Sequence, residues 1–90
     1  MYKDDKIAKV REILTEETIE DQHHPFMVLV EPKADGTLAT ISARPIYNDD
    51  VANLPFVPNV WNPIILTKLE VTSDVLLSYK VFIGYEASSL

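Results

Sequence analysis

The 90 residues carry eight Lys/Arg against fourteen Asp/Glu, a net charge of −6, with 47% hydrophobic and 24% charged residues and no cysteine. That size and balance suit one globular domain, while disorder and a membrane-spanning class do not fit. Disulfides, thiol catalysis and zinc–thiolate centres are excluded. Acidic residues outnumber basic ones nine to six in residues 1–45 and five to two in residues 46–90, so no basic patch is present for nucleic-acid phosphates or anionic membranes.

Residues 4–17 read as a helix. Ile7, Val10 and Leu14 recur at helical spacing, Ile13 widens the stripe, and Asp4 or Asp5 can cap the start. The acidic stretch Glu16 to Asp21 prolongs it at most by a turn, because Pro25 pushes His24 away from helical angles. Residues 26–31 are short, apolar and valine-rich, which predicts a strand. Asp35-Gly36 then signals a hairpin to a return strand over 37–46. Residues 48–63 read as irregular, broken by Pro55, Pro58 and Pro63. A third strand is expected over 64–71, with Thr72-Ser73-Asp74 as its turn. Val75, Leu77, Tyr79, Val81, Ile83 and Tyr85 alternate, so residues 75–86 read as a long fourth strand.

This order implies an α+β fold in one domain over residues 1–90: an N-terminal helix packed on a four-stranded antiparallel sheet made of two consecutive hairpins. Met27 and Leu29 oppose Phe26, Val28 and Val30, while Leu76 and Phe82 interrupt the polar side of the last strand. One short helix cannot cover both faces of such a sheet, so the irregular stretch or another chain must cover the second.

Reactive constellations are scarce. His23 and His24 are adjacent, so on regular backbone they point in different directions and form no paired metal site; the motif HExxH is absent. Glu16, Glu17, Glu20 and Asp21 lack the pattern of a calcium loop. Two glycines, Gly36 and Gly84, are too few for a phosphate-cradling loop, and no serine sits in a nucleophile elbow. No cofactor and no metal are expected. The segment from Leu54 to Pro63 holds the sole tryptophan and three prolines, which fix its aromatic side chains in place. It either caps the sheet or forms an interface.

The leading expectation is a non-catalytic small protein acting through protein–protein contacts, as a regulatory, adaptor or assembly subunit. Self-association to a homo-oligomer is expected, with Phe56, Val57, Val60, Trp61 and Phe82 as the interface. One alternative is an enzyme whose site lies near the His23-His24 linker, beside Arg44 and Tyr47, or between subunits. Another is a structural subunit of a viral or phage particle. A cytoplasmic location is the default expectation, since residues 1–6 show no secretory signal.

Overall fold

The computed structural model describes residues 7–34 and 38–86. They form seven strands: β1 (Ile7–Ile13), β2 (Glu17–Glu20), β3 (Phe26–Pro32), β4 (Ala39–Pro45), β5 (Ala52–Phe56), β6 (Leu66–Val71) and β7 (Tyr79–Glu86). A six-residue helix, α1 (Ser73–Ser78), lies between β6 and β7. All seven strands join one antiparallel sheet in the order β1-β7-β3-β6-β4-β5, with β2 also paired to β6.

This corrects the α+β expectation. The fold is mostly β, and no N-terminal helix packs on a four-stranded sheet. Residues 7–13 of the expected helix, and residues 17–20 at its end and in its possible extra turn, are strands; the Asp4 and Asp5 caps lie outside the described residues. Isoleucine, valine and threonine at Ile7, Val10, Ile13, Thr15, Thr18 and Ile19 favour extended backbone. Tertiary pairing then decides, because β1 lies along β7 from Ile7↔Glu86 to Ile13↔Val81. Three matches to a helical period are weak against a full ladder.

Neither expected hairpin forms. β3 pairs with β7, and β4 pairs with β5 and β6; Asp35-Gly36 lies outside the described residues. Thr72-Ser73-Asp74 caps α1 instead of turning a hairpin. Thr72 accepts a hydrogen bond from the Val75 amide at 3.4 Å, with Asp74 in the first turn. That helix replaces a tight turn and leaves room for β3 between β6 and β7. The irregular stretch also contains a strand, since β5 lies within residues 48–63 as the edge partner of β4. Its Pro55 is tolerated because an edge strand has one side without ladder bonds.

The sheet curls onto itself. Chain leaving β5 returns to β3 through the bridges Val30↔Pro58 and Leu29↔Trp61. β3 meets β6 at the single pair Phe26↔Leu66, where β6 also meets β4 at Pro45. The inward side chains of both halves therefore form one core, including Phe26, Val28, Ile41, Phe56, Leu69 and Ile83.

The register assigns the outward faces. On the β4–β6–β2 half, Glu20, Lys68 and Arg44 make one row, and Thr18, Glu70, Ser42 and Asn53 the next. That exterior is mainly polar, with Pro55 opposite Thr40 as its apolar member. On the β1–β7–β3 half, Val10, Gly84 and Met27 make one row, and Glu12, Phe82, Leu29 and Trp61 the next; Val10 is exposed, Phe82, Leu29 and Trp61 are half-buried, and Met27 and Gly84 are buried. That exterior is largely apolar.

Candidate functional site

Two features stand apart from plain packing. The first is the apolar exterior and the loop that extends it. Residues 57–62 are held by Asn62, which is buried among apolar neighbours. Its Oδ1 accepts from the Val57 amide at 2.8 Å, and its Nδ2 donates to the carbonyls of Val57, Val60 and Val28 at 3.1, 3.3 and 3.2 Å. Backbone bonds from Asn59 to Val30 and from Asn62 to Val28, at 2.8 and 2.9 Å, tie the loop to β3. Asn59 takes a positive φ of 67°, which asparagine tolerates better than most residues. Buried polar groups that are all satisfied hold a loop in one shape.

The loop presents Val57 and Val60 at 51% and 47% exposure, and Val10 of β1 reaches 54%. Trp61 is half-buried and opposite Leu29, and Phe82 is half-buried beside Leu29. Phe56 is placed differently: it is completely buried in the core and offers no surface. Asn62 was missed by sequence reasoning. An amide inside an apolar, proline-rich run is the available signal, and Asn59 shares it with Asn62.

The second feature is a cleft of about 370 Å³ lined by Lys9, Arg11, Asp21, His24 and Tyr85. Its origin lies in the register. The inward row Lys9, Tyr85 and Phe26 closes the open end of the core, and Arg11 faces inward one row deeper, opposite Ile83. β1 thus places two cations, both exposed to solvent at the open end, on the face where Ile13 is buried. The Arg11 guanidinium is held by Glu17 through two bonds of 3.2 and 3.1 Å. That carboxylate raises the Arg11 pKa, chiefly through the hydrogen bonds.

The far wall is a bulge between β2 and β3. Asp21 Oδ1 accepts the backbone amides of His23 and His24 at 3.1 and 2.9 Å, and lies 3.4 Å from His24 Nδ1. This is an aspartate-centred turn. Partial burial pushes the Asp21 carboxyl up, but the amides of His24 and His23 outweigh it and leave the pKa lowered. Burial raises the Tyr85 pKa, and the charge of Asp21 adds to it. The Tyr85 ring packs edge-on against Phe26 with centroids 5.9 Å apart.

Other groups considered for catalysis do not join this cleft. Arg44 bonds Glu20 at 2.8 Å and Thr67 at 3.1 Å on the polar exterior, and Tyr47 is 94% exposed. The cleft has neither residue in its lining. Among the described residues, neither histidine side chain bonds a serine or threonine hydroxyl, and no group of three or more His, Asp or Glu could hold a metal ion. No helix in the described residues is long and apolar enough to cross a membrane. Comparison of the chain with protein-family models, with curated proteins and with solved structures finds no match.

Proposed function

We propose that this chain is a non-catalytic protein–protein contact module, a regulatory, adaptor or assembly subunit, that binds a second copy of itself through the outer face of β1, β7 and β3. The asymmetry of the two exteriors carries this reading. Both are built from strands of one sheet, yet one is mainly polar and the other centres on exposed Val10 with half-buried Phe82, Leu29 and Trp61. Exposed apolar patches on a small soluble domain mark contact surfaces. The Asn62-held loop fixes Trp61 opposite Leu29 and leaves Val57 and Val60 exposed in the same segment, which lowers the ordering cost of binding.

A second copy is the occupant that the rim charges favour. Glu12 and Glu31 border the patch together with Lys80, so the face offers both signs to its own image. The face is small. Four chain segments at ~4.8 Å spacing over about five residues at ~3.4 Å give on the order of 300 Å². A standard interface has roughly 800 Å² per partner, so association through this face alone is weak, on the order of micromolar or weaker.

Sedimentation equilibrium across about 10 μM to 1 mM brackets that affinity. The average mass should rise with concentration in the wild type and stay monomeric in Phe82→Glu. Ser42→Glu on the polar exterior should associate like the wild type. Circular dichroism checks that each variant is folded. A wild-type mass that is monomeric throughout the range overturns self-association.

A further inference from the structure

We propose that the cleft at the open end of the core binds a small organic anion, a carboxylate or phosphate carried on a compact apolar body. The argument begins with β1. A strand that faces a core normally presents apolar side chains inward, and departures from that pattern concentrate at functional sites. Here the inward positions opposite Tyr85 and Ile83 are Lys9 and Arg11.

Charge accounting gives the sign of the ligand. Among the described residues, the carboxylates beside the cleft are Glu17 and Asp21, and each is already engaged. Glu17 takes both of its bonds from Arg11. One oxygen of Asp21 is occupied by the amides of His23 and His24 and lies beside the His24 ring. Among the described residues, no hydrogen bond or ion pair engages the Lys9 ammonium. Arg11 has five N–H groups and spends two on Glu17, so others remain. The Tyr85 hydroxyl is a further donor. An anion therefore meets unspent donors, and a second cation does not.

The apolar body follows from the wall and the size. The Tyr85 ring, braced edge-on by Phe26, gives a flat surface next to those donors. A volume of about 370 Å³ accommodates a small organic molecule and exceeds what a bare oxyanion needs. The cleft lies on the inward side of β1, and the association face on its outward side, so this inference stands independently of self-association.

Titration of the protein with phenyl phosphate, benzoate, inorganic phosphate and benzyl alcohol, followed by amide chemical shifts in ¹H–¹⁵N NMR, tests it. Phenyl phosphate or benzoate should give saturable shifts clustered at Lys9, Arg11, Asp21, His24 and Tyr85; the tighter of the two identifies the headgroup. Lys9→Gln should weaken that binding at least about tenfold, the worth of one charge-assisted hydrogen bond, while Lys80→Gln leaves it unchanged. Circular dichroism confirms that both variants are folded. Absence of saturation with either organic anion overturns the proposal. So does inorganic phosphate or benzyl alcohol binding as tightly as the aromatic anions, or a Lys9→Gln variant that binds like the wild type.

Discussion

Replacing Asn62 by alanine tests the claim that one buried amide holds the 57–62 loop. The side chain contacts four backbone groups: the Val57 amide and the carbonyls of Val57, Val60 and Val28. Its two N–H donors cannot fully serve three acceptors, so about three effective bonds are at stake. The Val28 carbonyl keeps the bond from the Asn62 backbone, which lightens its loss. At ~0.5–1.5 kcal/mol per bond the expected destabilisation is about 2–4 kcal/mol. Small domains are stable by only ~5–10 kcal/mol, so this is a large share. Urea unfolding followed by Trp61 fluorescence should show the midpoint falling by roughly 1–2 M with an unchanged slope. Asn62→Asp should cost more than alanine, because it sets a carboxylate against three carbonyl oxygens. A loss below about 0.5 kcal/mol for Asn62→Ala would mean that backbone bonds to β3 alone hold the loop, and the reasoning fails.

Two further outcomes follow from burial and charge. Phe56→Ala should cost about 3–5 kcal/mol in the same assay, whereas Val57→Ala and Val60→Ala should stay within about 0.5 kcal/mol; a reversed order would place Phe56 at the surface. Glu20 is held below its ordinary value of 4.5 mainly by the Arg44 hydrogen bond, and Asp21 lies below 3.8, its burial outweighed by the His24 and His23 amides. Depressed carboxylates stabilise the fold above those ordinary values and lose that contribution as pH falls through the folded ones. The melting temperature should therefore drop from about pH 5 downward, and more gently in Glu20→Gln and Asp21→Asn; slopes equal to wild type would refute the linkage.

The sequence announced extended structure where apolar residues alternate or run together. The expected strands at 26–31, 37–46 and 64–71 overlap β3, β4 and β6. It misled where two periods compete. Ile7, Val10 and Ile13 fit a helical stripe, but Lys9, Arg11 and Ile13 also share one face of a strand, and only the partner β7 chooses between them. The alternation from Val75 to Tyr79 was likewise overridden, because the threonine at 72 caps a helix and Leu77 points to solvent. Strand order was out of reach, since β3 pairs with a segment some fifty residues away through contacts that no local pattern encodes. For the sites, Val57, Val60, Trp61 and Phe82 could be nominated from composition. The cleft could not, because Lys9 and Arg11 look like solvated helix charges until the register sets them, still exposed, on the face of β1 that carries Ile13 beside Tyr85.

One bulge connects both features. β2 and β3 run in the same direction along neighbouring partners, with β2 on β6 and β3 on β7. Between them, Asp21 still donates its amide to the Thr67 carbonyl of β6, and Phe26 meets both Leu66 and Tyr85. Residues 22–25 are thus the step by which the chain leaves one half of the sheet for the other. Pro25 disfavours helical angles before it, and Asp21 clamps the two histidine amides, so the step has a defined shape. Because the strand shifts there, Tyr85 and Lys9 are not covered by β2, and the end of the core stays open beside Asp21 and His24. The same shift gives β7 a partner on each side, so its outward side chains join those of β1 and β3 in one apolar face. The cleft and the contact face are therefore two consequences of a single departure from regular pairing, one on each side of the same three strands.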